Sequence, residues 1–248
     1  MPQTAPSAIA LLEHLCYTNI KQKQSGSTGC KIVWQGRLPL MKDRCVITIG
    51  REYGSGGREI AKKLADRLQF PFYDRELITM AAEKSGIDVH VFESADEKPQ
   101  SSLLYSLAVD PYSVKGSLFR ANNMQTNDNL FRIQSEVIRE LAAEKSCVIV
   151  GRCADYILSD DPNCLRIYVH GSLDHRIGRI KQLYELTGKQ AKDLIQKTDK
   201  SRASYYDFYT EQKWGDAGNY HLSVDPFLLG TEKTVELLED FVQMFIQL

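Results

Sequence analysis

The sequence predicts an α/β fold in which a five-stranded parallel sheet is flanked by helices, and three observations carry that expectation. Short apolar runs rich in β-branched residues alternate with longer segments of helical period. The runs are almost continuously apolar, as strands buried on both faces are. The first run feeds straight into a glycine cluster and then a helix-period segment, the layout of a backbone phosphate site.

Taken in order, strands are expected at 46–49, 70–73, 147–150, 165–169 and 221–224. Helices are expected at 58–68, 76–85, 130–145, 173–186, 191–209 and 231–247. Two stretches break the rhythm. Residues 87–129 are polar, turn-rich and long, and a connection of that length in a compact domain is usually a functional insertion. Residues 197–220 are basic at the start and aromatic afterwards.

The 248 residues fit one domain, 45–248, preceded by an arm, 1–44. The arm holds a short apolar segment and a polar Gly/Ser-rich passage but no signal-peptide core. It reads as an appended arm, a start-site artefact, or one amphipathic helix packed on the domain.

Lysine and arginine number 31 against 32 acidic residues, so the net charge of -1 gives no global reason to expect nucleic acid or an anionic membrane as partner. Any anion site must be local. No apolar run approaches the roughly 20 residues of a membrane span. The six cysteines, without zinc-site spacing, read as reduced and mostly buried thiols, which suits a cytoplasmic protein.

The turn from Gly50 to Glu59, GREYGSGGRE, is the strongest candidate site. Unsatisfied N–H groups and the helix dipole favour an anion at a helix start. Gly54, Gly56 and Gly57, with Ser55 between them, would let the backbone wrap phosphate oxygens, while Arg51 and Arg58 would add cations. The strict pattern G-x-x-x-x-G-K-[ST] is absent. Gly57 stands near the lysine's place, with Arg58 after it and Glu59 near the magnesium-binding hydroxyl. Either Arg58 and Glu59 take substitute roles, Glu59 as a magnesium ligand, or catalysis is weakened or lost.

Residues 47–74, ITIGREYGSGGREIAKKLADRLQFPFYD, resemble the opening of the cytidylate kinase-like family of P-loop proteins. The likeness continues through VIVGRCADYIL, LRIYVHGSLDHRIGRI and DKSRASYYDFYTEQKWGDAGNYHLSVD. The resemblance implies a nucleoside-monophosphate kinase fold with a monophosphate-binding insertion, near 87–129, and a lid, near 189–215. It also implies ATP and Mg²⁺ as cofactors, CMP or dCMP as acceptor, and small nucleotides rather than nucleic acid or membrane as partners. Oligomeric state stays open, since the arm or the insertion could each make a homodimer contact.

By the same resemblance, Gly151-Arg152 would meet the monophosphate, and Asp74 would open the acceptor side. A structural salt bridge for Arg152 and a helix N-cap for Asp74 are the plainer alternatives. Lys200 and Arg202, after Asp199, match basic lid residues that clamp the transferring phosphoryl, or else line a solvated helix face. Arg176 and Arg179 share one helix face and point to phosphate or to solvent. Tyr205, Tyr206, Tyr209, Trp214 and Tyr220 suit core packing of the lid stem better than base stacking. Asp216 and Asn219 are expected to fix their turn locally. The scattered histidines form no triad.

Overall fold

The computed structural model describes residues 44–90 and 115–247. The arm through residue 43, Cys16, Cys30 and the segment 91–114 lie outside the described residues.

β1 (Val46–Arg51) is hydrophobic enough to sit at the centre of the sheet, where it pairs in parallel with β3 (Cys147–Val150) on one side and β4 (Cys164–Val169) on the other. β2 (Phe72–Tyr73) adds to β3, and β5 (Leu222–Val224) adds to β4, giving the order β2-β3-β1-β4-β5, all parallel. Strand order therefore reverses at β1. In open α/β sheets, a crevice for ligands forms at the carboxyl ends of strands where this happens.

Strand alternation sends neighbouring side chains to opposite faces. Val46, Cys147 and Ile149 join one core with α2 (Glu76–Ser85), α3 (Lys115–Glu144) and the short α4 (Ala154–Ile157). Ile47, Ile49, Val148 and Val150 join the other core with α1 (Gly57–Leu68) and the C-terminal α8 (Thr231–Ile246). The expected parallel sheet covered on both faces is what the chain builds.

A third, smaller cluster seals α5 (Leu173–Tyr184) against α6 (Gly188–Thr210) through Ile180, Ala191 and Ile195, with Tyr53 packed onto it. α6 opens on a capping box in which the Thr187 and Gln190 side chains each satisfy the other's backbone N–H. The packing of Tyr53, two residues past β1, ties the glycine turn to the α5–α6 pair.

Three differences from the expectation have a clear physical reason. β2 shrinks from 70–73 to two residues because Phe70 N–H still closes the end of α1 on Ala65, and Pro71 has no N–H to give. Pro71 contributes only its carbonyl, which accepts from Val148 N–H at 2.9 Å. Residues 115–129, expected as part of a long loop, are helical and run continuously into the helix expected from 130. No proline interrupts that stretch, and extending a helix already anchored by Leu130, Ile133, Val137 and Ile138 costs far less than nucleating one. α7 (Pro226–Leu229) was not anticipated, although Asp225 caps it and Pro226 occupies its first turn.

Cys45, Cys147, Cys153 and Cys164 are buried thiols outside any disulfide. Burial pushes the Cys147 and Cys164 thiols up to about 12, so they behave as small apolar side chains. Tyr205, Tyr206 and Tyr220 are likewise buried. Phe131 and Tyr209 stack at 4.1 Å, and Tyr168 stacks on Tyr220 at 4.8 Å, so the aromatic run serves packing. Asp216 accepts from Gly218 N–H, and Asn219 donates to the Lys213 carbonyl, fixing the turn before β5.

Candidate active site

The glycine turn leaves β1 and enters α1 with Gly54 and Gly56 in left-handed conformations, φ 82° and 86°. Gly56 is the N-cap residue of α1 and has no side chain to cap that end; Gly57 N–H is taken by Ser55, which leaves the N–H groups of Arg58 and Glu59 as the donors of the first turn without a helical partner. Ser55 does not face that space. It is buried, its hydroxyl donates to the Glu52 carbonyl at 2.9 Å, and it accepts from Gly57 N–H at 3.3 Å. Ser55 therefore shapes the turn instead of meeting a ligand.

A buried ionic network holds the turn from behind. Arg176, on α5 and only 7% exposed, donates through Nε to the Gly171 carbonyl and through Nη1 to the Tyr53 carbonyl and to Asp199. Its Nε also lies 3.3 Å from Glu52 Oε2, which accepts from Gly171 N–H. Asp199, on α6, accepts from Tyr53 N–H at 2.7 Å. Both polar groups of the Tyr53 peptide are thus satisfied by the α5–α6 pair. Burial and its neighbour Tyr184 push the Tyr53 hydroxyl up to about 12.

In front of the turn lies an open cleft of about 720 Å³. Its floor is Gly54, Gly56 and Gly57, and its lining includes Arg51, Arg58, Glu59, Asp74, Arg152 and Arg202. The sequence-predicted site residues therefore converge, with two exceptions. Ser55 sits beneath the turn, and Lys200 is exposed on α6 away from the cleft lining. Arg202 reaches the site as expected: its Nη1 donates to the Arg51 carbonyl at 3.3 Å and its guanidinium lies 5.6 Å from the Tyr53 ring.

Arg58 does not extend over the glycines but pairs with Asp74, Nε to Oδ2 at 2.5 Å. The Asp74 side chain is only 6% exposed, whereas that of Arg58 is 66% exposed. Asp74 gives α2 no side-chain cap, so the N-cap alternative does not hold. Arg152 follows β3 with φ 60°, is 3% exposed, and borders both the cleft and a small inner cavity beside Asp155 and Tyr206. Burial raises the Asp155 carboxyl above the usual range, against the hydrogen bond from Tyr206 at 2.8 Å that opposes the shift.

Arg179 also lines the cleft, as do Lys62, Lys63 and Arg75, which the sequence did not single out. In all, eight arginines and lysines face it against three carboxylates. Ile180 and the exposed Leu183 and Tyr184 supply an apolar wall from α5.

Glu59, expected as a magnesium ligand, is engaged by cations instead. It accepts from Arg179 Nη2 at 2.7 Å and lies 3.2 Å from Lys63 Nζ. Arg179 first, with Lys63 adding, holds its carboxyl below the usual range. No group of three His, Cys, Asp or Glu among the described residues is placed to hold a metal ion. Each Glu59 oxygen thus already meets a cation, Oε2 the Arg179 guanidinium and Oε1 the Lys63 ammonium, which competes with any magnesium ion for the same carboxylate.

The cytidylate kinase-like family model matches residues 46–226, most of the chain. The chain belongs to the cytidylate kinase-like family. The matched span begins with β1 and ends at the first residue of α7, so every element that builds the cleft lies inside the family region. Among solved structures, an uncharacterized protein from Eubacterium ventriosum ATCC 27560 is 28% identical, with 81% of this chain and 99% of that chain covered and a TM-score of 0.59. A shikimate kinase from Bacteroides thetaiotaomicron is 14% identical, covering 80% and 98%, with a TM-score of 0.47. A gluconokinase from Sinorhizobium meliloti 1021 is 12% identical, covering 84% and 96%, with a TM-score of 0.42. Comparison with curated proteins gives no match. The cytidylate kinase-like chain has the α/β nucleoside-monophosphate kinase fold, and its family supports phosphoryl transfer as the general chemistry.

Proposed function

We propose that this chain transfers the γ-phosphoryl group of ATP to a nucleoside monophosphate, with CMP or dCMP as the foremost acceptors. The excess of eight cationic over three anionic side chains around one cleft carries this reading. A triphosphate donor and a phosphorylated acceptor together bring several negative charges, which a cationic excess concentrated around one cleft attracts. Among the described residues no helix is long and apolar enough to cross a membrane, which accords with a cytoplasmic enzyme acting on small nucleotides.

The glycine turn would hold the donor's phosphates through its N–H groups and the dipole of α1. The wall of Leu183 and Tyr184 beside the turn offers an apolar surface for a base to stack on. On the opposite side, Arg152 and the Arg58–Asp74 pair would hold the acceptor, Arg152 by charge-assisted bonds to its phosphate. Residues 189–215, on α6 and the turn after it, would act as the lid and residues 87–129 as the acceptor-side insertion. Arg51 and Arg202 would meet charge that develops between donor and acceptor, so positioning and electrostatics supply the rate. Arg58 and Arg202 both line the cleft, whereas Lys200 lies outside its lining.

A second reading, a nucleotide-binding module with little transfer, is favoured by Gly57 standing where a lysine would be expected. Coupled detection of ADP release separates the two. The assay pairs ATP with CMP, dCMP and UMP, with non-nucleotide acceptors alongside, and uses Arg152→Ala as a control. Turnover with a cytosine nucleotide that Arg152→Ala loses supports the kinase. Measurable ATP binding with no turnover on any acceptor supports the binding module.

A further inference from the structure

The loop cannot carry its own lysine. A Cβ at Gly57 would stand 2.6 Å from the Arg51 Cβ and 3.2 Å from the Val169 Cβ. Cβ atoms do not approach one another that closely, so no side chain can leave the backbone there unless β1 and the turn separate. Arg58, the next cation along, is turned to Asp74. A triphosphate on this turn would therefore have to find its positive charge on another element.

Arg179 is placed to give it. It lies on α5, and its Cζ is 3.7 Å from the point a Gly56 Cβ would occupy, with Nε and Nη2 at 3.8 and 3.9 Å. The guanidinium thus rests against the residue that opens α1. Its side chain is 28% exposed, sheltered enough for its charge to count and open enough to meet a ligand. An arginine has five N–H donors, and the bond to Glu59 takes one of them. Glu59 is itself fixed in the first turn of α1 and touched from the far side by Lys63. The carboxylate sets the guanidinium beside Gly56 as another carboxylate, Asp74, sets Arg58.

We propose that Arg179 supplies, from helix α5, the phosphate-facing cation that the glycine turn is sterically barred from carrying, and that Glu59 is its positioning partner and not a magnesium ligand. The assignment rests on the nucleotide reading above. It makes the donor site a composite of the α1 N-terminus and the α5 face. The Arg176–Asp199 network, which fastens α5 and α6 to Tyr53, is what keeps the two halves in register.

The test is calorimetric binding of ATP, ADP and inorganic phosphate to the full chain at fixed ionic strength, with magnesium and with chelator. The proteins are wild type, Arg179→Ala, Arg179→Lys, Glu59→Gln, the Arg179→Ala/Glu59→Gln pair, and Lys84→Ala as a remote surface control. Arg179→Ala is expected to weaken ATP binding by about ten- to a hundredfold, the range for a charge-assisted hydrogen bond. Arg179→Lys should restore part of that loss, and Lys84→Ala should bind as wild type does. Glu59→Gln should weaken ATP binding less than Arg179→Ala, leave its magnesium dependence unchanged, and add nothing in the Arg179→Ala background. ATP binding by Arg179→Ala within twofold of wild type overturns the proposal alone, as does a Glu59→Gln protein that needs more magnesium. A wild-type chain that binds no ATP overturns the nucleotide reading and this proposal with it. Arg179→Lys distinguishes loss of the cation from loss of fold, since it keeps both charge and stem.

Discussion

Replacing Arg176 with methionine removes the one cation shared by Glu52 and Asp199 while keeping most of the side-chain volume. Arg176 is almost fully buried, and its two carboxylate partners retain side-chain exposures of 23% and 17%. Taking one partner out of a buried charge network costs about 3–5 kcal/mol in general. The residual exposure of the carboxylates, and the bond that Asp199 keeps to Tyr53 N–H, place this case at the low end, about 3 kcal/mol. For a chain of this size each kcal/mol moves Tm by about 2–4 °C, so the expected drop is about 6–12 °C. Thermal melts of the ligand-free protein by circular dichroism measure it, with Arg132→Ala as comparison, since the Arg132 side chain is 61% exposed and pairs only locally with Glu136 and Asn129 in the described contacts. A drop below about 2 °C for Arg176→Met would show that the network is energetically idle and that α5 is held to the turn by Tyr53 and the apolar seam alone.

Other consequences can be measured on the same protein. Gly57→Ala forces a Cβ against Arg51 and is expected to raise the Kd for ATP at least about tenfold by separating the turn from β1, read by the same calorimetry. The Glu59 carboxyl is held below its usual value of 4.5 by Arg179 and Lys63. A depressed carboxylate adds stability above its unfolded value that disappears as pH falls through the folded one. The Tm gap between wild type and Glu59→Gln should accordingly be constant above about pH 5 and close below pH 4. Asp155 runs the other way. Its carboxyl is raised chiefly by burial, so its ionised form opposes folding, and Asp155→Asn should gain stability relative to wild type as pH rises above about 4, levelling off once the folded carboxyl has ionised. Cys147 and Cys164, with thiols pushed up to about 12, should resist iodoacetamide at pH 8 in the native protein and react on unfolding, as peptide mass mapping will show.

The sheet, its parallel sense and the helix after the glycine turn were legible because each rests on a local pattern: an apolar run, a glycine cluster, a helical period. The extension of α3 back to Lys115 was not. Its sequence there carries Gly116 and several asparagines, and the helix continues without a break from the buried seam that starts at Leu130. At the site, spacing showed that Arg176 and Arg179 share a face but not which object each would meet. Arg176 turned out to serve the Tyr53 peptide and Arg179 the start of α1. A usable signal was present: a phosphate turn without a lysine calls for a cation on the helix after the neighbouring strand. Lys200 and Arg202 looked equivalent, yet two residues along a helix turn a side chain by about 200°. Only Arg202, with Asp199 three residues before it, comes round to the turn.

The contact between Gly57 and Arg51 also bears on how such a loop can change over time. Residue 57 cannot acquire a side chain while residue 51 keeps its Cβ where it is, so a lysine introduced at 57 by itself meets a closed door whatever its benefit to phosphate binding. The two positions are epistatic. A route to a lysine at 57 runs first through a rearranged β1 terminus, and every intermediate on that route depends on the cations that already surround the cleft.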